Sequence, residues 1–128
     1  MSDKSKLIIG ISSRALFNLD ESHEIYKKEG LDSYRDYQIA NEEKTLEPGQ
    51  AFSLVKKILS INSLYKDRQR IEVILLSRNT SDTGLRIRNS IEAHGLEISR
   101  AAFCGGESPH RNVKDFGVHL FLSSSFED

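Results

Sequence analysis

The sequence predicts an α/β domain: a short, mostly parallel sheet with helices on both faces, three layers in all. Three observations carry that expectation. Leu7-Ile8-Ile9-Gly10-Ile11, Val73-Ile74-Leu75-Leu76 and Val118-His119-Leu120-Phe121-Leu122 are short runs rich in Ile, Leu and Val, the pattern of strands buried on both faces of a parallel sheet. The segments between them carry helical signals, and alternating strands and helices give parallel sheets with right-handed crossovers. Each run also closes on small polar residues, at Ser12-Ser13, Ser77-Arg78-Asn79 and Ser123-Ser124-Ser125. Ligands of open parallel sheets bind outside the carboxyl ends of the strands. Distant segments should therefore bring hydroxyls, a guanidinium and an amide to one crevice, with no Asp or Glu at any of these ends.

The first strand leads into Arg14-Ala15-Leu16-Phe17-Asn18-Leu19, which has no clear period. Asp20 is the expected N-cap of a helix with Glu21 and Glu24 in its first turn, stopping near Gly30. A polar helix from Asp32 to Glu43 follows, read as an excursion over the sheet edge, and Leu46-Glu47-Pro48-Gly49 is a break. From Gln50 to Tyr65, Ala51, Leu54, Val55, Ile58, Leu59 and Ile61 recur at helical spacing, the best amphipathic helix in the chain. Lys66-Asp67-Arg68-Gln69-Arg70 leads to the second strand. Ser81 or Asp82 caps the next helix, whose inward face is Leu85, Ile87, Ile91 and His94, ending at Gly95. Leu96 to Phe103 reads as a strand and Gly105-Gly106 as a loop. Ser108 or Pro109 opens a short helix to Phe116, and Gly117 precedes the last strand.

At 128 residues the chain is one domain with room for a real core. Charged residues make up 29% and the net charge is −1, so nothing suggests a disordered tail or a polyanion-binding surface. The 18 basic residues are dispersed, which argues against nucleic acid as the partner. The single cysteine, Cys104, excludes an internal disulfide and fits a reducing compartment. The polar start Met1-Ser2-Asp3-Lys4-Ser5-Lys6 has no apolar signal region, and no run is long enough to cross a bilayer. A cytoplasmic protein with no membrane partner is expected. No repeat or low-complexity segment is present, and the stop at Asp128, just past the last strand, looks cut short.

Ser12-Ser13-Arg14 and Ser77-Arg78-Asn79 suit an anion, since hydroxyls, backbone N–H groups at helix starts and a guanidinium all favour phosphate-like oxygens. The plainer alternative is that the serines satisfy backbone groups where strands leave the sheet. His23, His94, His110 and His119 share no metal-ligand spacing. Cys104 reads as a small buried residue near a turn rather than a reactive thiolate. Asp20, Glu21 and Glu24 complement a helix dipole more readily than they bind Mg²⁺, and Gly105-Gly106 lacks the residues that complete a phosphate loop. No metal site is predicted.

Four segments together are specific: Ile11-Ser12-Ser13-Arg14-Ala15-Leu16-Phe17; Leu75-Leu76-Ser77-Arg78-Asn79; Thr83-Gly84-Leu85-Arg86 with Asn89-Ser90-Ile91; and Gly105-Gly106-Glu107-Ser108-Pro109. Gly30-Leu31 with Tyr34, Tyr37-Gln38, and Pro48-Gly49 with Ala51-Phe52 fit as well. They resemble the amino-terminal half of the cytosolic type I 5′-nucleotidases, in the wider haloacid-dehalogenase-like superfamily. The resemblance runs from about Lys6 to Asp128. It implies a Rossmann-like sheet, a single haloacid-dehalogenase-like α/β domain over residues 1–128, and a helical excursion at about 18–48.

It also implies Mg²⁺-dependent removal of phosphate from nucleoside monophosphates such as AMP or IMP. Carried across by position, the nucleophile falls on Ser12, the acid/base on Arg14, the hydroxyl position on Ser77, the lysine position near Ser108, and the metal ligands on Ser123 and Ser124. Only Ser77 keeps a suitable side chain. Serine without a nearby base is a poor nucleophile, Arg cannot shuttle protons near neutral pH, and Mg²⁺ wants carboxylate oxygens. The expectation is a degenerate module without a cofactor of its own. It would bind phosphate or a nucleoside monophosphate at Ser12, Ser13, Arg14, Ser77, Arg78 and Asn79, beside a catalytic second half or in a homo-oligomer. The alternatives are an active 5′-nucleotidase using other residues, such as Asp20 and Asp82, and an assembly half with no ligand.

Overall fold

A computed structural model describes residues 6–65, 69–80, 84–98, 100–104 and 110–123. Four strands, β1 (Leu7–Ser12), β2 (Ile71–Ser77), β3 (Arg100–Phe103) and β4 (Leu120–Leu122), form one sheet in the order β3-β2-β1-β4, and every pairing is parallel. Among the described residues six helices accompany them: α1 (Ser13–Leu16), α2 (Asp20–Glu29), α3 (Leu31–Ala40), α4 (Phe52–Ser60), α5 (Leu85–Ala93) and α6 (His110–Asp115). The result is a Rossmann-like three-layer sandwich. The chain steps outward from β1 through β2 to β3, then returns to place β4 on the other side of β1, so the topological switch point lies between β1 and β4.

Side-chain alternation divides the sheet between two layers. Ile9, Ile11, Val73 and Leu75 join Leu16, Phe17, Phe52, Val55, Ile87 and Ile91 in the main core, and all of these are buried. Burying side chains of this size contributes about 1.5–3 kcal/mol each. On the opposite face Ile74 and Leu76 are fully buried. There Gly10 has no side chain, and a Cβ would stand 3.1–3.2 Å from Leu76, Phe121 and Val118. That glycine lets β2 and β4 side chains close over β1.

The elements depart from expectation where a cap or an ion pair intervenes. The segment after β1 forms α1, a single turn capped by Ser12. Asp20 is the first residue of α2 rather than its cap, and its N–H donates to Asn18 Oδ1 at 3.0 Å. Gly30, at φ 93°, ends α2 and starts α3. Residues 61–64 continue α4 as a 3₁₀ turn, and Leu54 and Ile61 are exposed rather than inward. Leu85 is also exposed, whereas Arg86 and Ser90 of the same helix are buried.

The strand expected from Leu96 begins only at Arg100. Gly95, at φ 67°, donates to Glu92 O at 3.0 Å and Leu96 N to Ile91 O at 3.1 Å, the Schellman arrangement in which Leu96 is the apolar residue of the helix cap. The same arrangement at Gly117 and Val118, with bonds to Lys114 O and Val113 O, shortens β4 to Leu120–Leu122 and leaves His119 just before it. β2 is longer than its apolar run because Glu72 lies inside it, buried against Lys6 and Arg100. The expected caps at Ser81 and Asp82, the Gly105-Gly106 loop, Ser108, Ser124 and Ser125 lie outside the described residues.

Candidate functional site

The carboxyl ends of the strands are nearly level: Ser12 pairs with Leu76, Leu122 with Ile11, and Ser77 with Phe103. Ser12 and Ser77 therefore sit on one edge, and Ser123, exposed, follows β4 onto it. Ser12 Oγ accepts from Ala15 N at 3.3 Å and so turns the chain from β1 into α1. That turn is clamped from outside, because Leu16 O accepts from Gly49 N at 2.8 Å and Ala15 O from Ala51 N at 2.9 Å. Phe17 bridges to Pro48 in antiparallel fashion. The break at Pro48-Gly49 is thus a brace that holds Ser12 and Ser13 in place.

Behind the edge the polar groups are joined. Ser77 Oγ donates to Ser13 Oγ at 3.2 Å and accepts from Asn79 N at 3.2 Å and Asn79 Nδ2 at 3.0 Å. The Tyr34 phenol donates to Asn79 Oδ1. Gln38 Nε2 lies 3.5 Å from the Tyr34 oxygen, and Arg86 Nη1 donates to Gln38 Oε1 at 3.1 Å. Arg86 Nε also donates to Lys44 O at 2.9 Å. Ser13, Ser77, Gln38 and Arg86 are all buried. Burial pushes the Tyr34 phenol up from its ordinary value, against its hydrogen bonds to Gln38 and Asn79 and the Arg86 charge. Tyr26 packs edge-on against Tyr34, with centroids 5.9 Å apart.

Of the six residues expected to bind an anion, Ser13, Ser77 and Asn79 are linked directly, and Ser12 caps the turn beside them. Arg14 lies on the rim, half-exposed, with Nη2 3.9 Å from Asp20 Oδ1. His23 is on the same rim; burial lowers its pKa, and the charges of Arg14 and Lys27 add to that. Arg78 is half-buried next to Ser77. The reading of strand ends missed Tyr34, Gln38 and Arg86. Their signal was the i,i+4 spacing of Tyr34 with Gln38 and of Arg86 with Ser90, polar residues in the inward phase of a helix.

Magnesium does not fit this donor set. The strand ends offer neutral hydroxyls, one of them committed to a helix cap, and Mg²⁺ binds through carboxylates. Glu72, a buried carboxylate, lies toward the amino end of β2, opposite Ile8, and is paired with Lys6 and Arg100. Among the described residues no three His, Cys, Asp or Glu side chains group to hold a metal ion, and no helix is long and apolar enough to cross a membrane.

The 5′-nucleotidase family model matches residues 1–128. The chain is 36% identical over 129 residues to human cytosolic 5′-nucleotidase 1B, an alignment covering 97% of this chain and 21% of that protein. The chain thus spans about a fifth of the length of the curated relative it matches. No solved structure gives a significant match. With the family match running from the first residue to the last, and the identity spread over nearly all of the same span, the chain belongs to the 5′-nucleotidase family.

Proposed function

We propose that this chain is a non-catalytic, phosphate- or nucleotide-binding module of a 5′-nucleotidase. It takes the phosphate of a nucleoside monophosphate such as AMP or IMP at Ser12, Ser13, Arg14, Ser77, Arg78 and Asn79. The observation that carries this reading is the Ser13–Ser77 contact of 3.2 Å at the carboxyl edge, where the described strand ends offer hydroxyl and amide groups and no carboxylate. An anion brought there meets donors rather than like charge.

The residues at the positions of the family's chemistry support binding rather than turnover. Ser12 Oγ accepts from a backbone N–H, and among the described residues no base is hydrogen-bonded to it to take its proton. Arg14 holds its proton throughout the neutral range. The module would act in the cytoplasm, the location named for the human relative, beside a catalytic second half or a second copy of itself. Leu7 and Leu120, at 43% and 50% exposure on the β1–β4 side of the sheet, favour a second reading, an assembly half that takes no ligand.

Calorimetric titration with AMP, IMP and inorganic phosphate tests both. Saturable binding that weakens in Arg14→Ala supports the module, and no heat at millimolar ligand leaves the assembly half. Magnesium-dependent phosphate release from AMP that disappears in Asp20→Asn or Asp82→Asn would instead establish an enzyme.

A further inference from the structure

Arg86 is an unusual resident of this fold. It is 5% exposed, and its guanidinium meets neutral oxygens, Gln38 Oε1 and Lys44 O, with no carboxylate among the described residues in ion-pair range. A buried cation held by neutral dipoles and the Tyr37 ring, whose centroid is 5.8 Å away, orders those dipoles, because guanidinium can donate hydrogen bonds but never accept them. Gln38 must therefore turn its oxygen to Arg86, which leaves its Nε2 as a donor toward Tyr34. The Tyr34 hydrogen then goes to Asn79 Oδ1. With its oxygen engaged, the Asn79 amide turns its Nδ2 to Ser77.

Ser77 Oγ now accepts twice, from Asn79 N and from Asn79 Nδ2, and a hydroxyl oxygen has two lone pairs. Its hydrogen is all it has left to offer, and Ser13 Oγ receives it. The Ser13 hydrogen, the last in the series, has no acceptor among the described residues and lies at the carboxyl edge.

We propose that Arg86 fixes the direction of the relay Arg86–Gln38–Tyr34–Asn79–Ser77–Ser13, so that the crevice presents a hydrogen-bond donor and selects an oxyanion over a metal cation. This deepens, and rests on, the phosphate-binding reading. Arg86, Gln38 and Tyr34 touch no ligand; they are positioning residues. A divalent cation needs oxygen lone pairs, and those of Ser77 are occupied by Asn79. Ligating a metal there would break a part-buried hydrogen bond, whereas a phosphate oxygen completes the series.

The test uses the full chain, with inorganic phosphate and Mg²⁺ as probes and the side-chain amide NMR signals of Gln38 and Asn79 as a readout that needs no ligand. Tyr34→Phe keeps the ring against Tyr26 and removes the link. The expected results are faster solvent exchange and a shifted Asn79 amide signal in the apo protein, with phosphate binding about tenfold weaker. Asn79→Asp places an acceptor where Nδ2 donates, so Ser77 donates to it, Ser13 donates to Ser77, and lone pairs face the crevice. That variant should lose phosphate and gain measurable Mg²⁺ affinity.

Identical Asn79 signals in wild type and Tyr34→Phe would overturn the relay whatever the ligand does. A changed signal with unchanged phosphate affinity would overturn its role in selection. If the wild-type chain binds no phosphate while the Asn79 signal still responds to Tyr34→Phe, the binding reading is what fails, and anion selection falls with it.

Discussion

Glu72 and Arg100 meet across β2 and β3 in a two-pronged ion pair, Arg100 Nε 2.6 Å from Oε2 and Nη2 3.0 Å from Oε1. Lys6 Nζ adds a contact of 3.2 Å to Oε1, and the Arg100 guanidinium lies 5.4 Å from the centroid of the Phe116 ring. Glu72 is 5% exposed on a strand that is otherwise buried. The pair therefore ties the edge strand β3 to the centre of the sheet. It is far from the carboxyl edge, so its loss should reach stability without reaching ligand binding.

Removing Arg100 leaves the buried Glu72 carboxylate with Lys6 alone, so Arg100→Met should destabilise the fold by about 2 kcal/mol. That is below the 3–5 kcal/mol typical of a fully buried pair, because Arg100 is partly exposed. Burial pushes the Glu72 carboxyl up, but the Arg100 and Lys6 hydrogen bonds and charges outweigh it and hold the pKa below the ordinary 4.5. With the folded value depressed, the contribution is complete above about pH 4.5 and is lost as pH falls below it. Thermal melts across the acid range should show a falling midpoint in the wild type and a flatter profile in Glu72→Gln.

The Ser12 cap predicts a smaller loss. Ser12→Ala removes the acceptor for Ala15 N, and losing an N-cap costs about 1 kcal/mol. Urea unfolding should show the midpoint reduced with the slope unchanged, and Ser12→Asn should recover most of the loss.

How far this was legible in the sequence follows from the range of each interaction. β1, β2 and the phase of α4 around Val55 are written locally, as apolar runs and a helical period. The starts of β3 and β4 are not legible in the sequence because Leu96 and Val118 serve as apolar residues of helix caps, and a cap residue and a strand residue look alike in a hydropathy pattern. Glu72 concealed the start of β2, since only the tertiary approach of Arg100 explains a carboxylate there. The serines at the strand ends could be read from topology alone. Tyr34, Gln38 and Arg86 show in the sequence only as polar residues at helical spacing; that they meet is not legible, because 48 residues separate Gln38 from Arg86 and nothing local announces their contact.

Gly49 should tolerate no side chain. A Cβ there would stand 2.8 Å from Ala15 O and 2.8 Å from Phe17 C, both backbone atoms that cannot swing aside. Gly49→Ala must push the 48–51 brace away from α1, at a cost of about 1–3 kcal/mol. Because the brace holds Ser13, amide exchange should quicken at Gly49 and Ala51, and phosphate affinity should fall in the same variant. Unchanged exchange at both positions would show that the brace does not hold the turn.

On the rim, Asp20 would compete for Arg14 with an anion bound at the proposed site. The two side chains approach to 3.9 Å, with the Asp20 carboxylate 81% exposed, so their attraction is weak and screened by salt. Asp20→Asn removes a negative charge beside the crevice and releases the guanidinium. Phosphate should then bind about two- to fivefold tighter at low ionic strength, with the gain fading toward molar salt as the Debye length shrinks. Titrations of the wild-type chain and Asp20→Asn at two salt concentrations measure this. A gain that persisted undiminished at high salt would mean that Asp20 acts by shaping the start of α2 rather than through its charge, and the Arg14 part of the binding site would have to be redrawn.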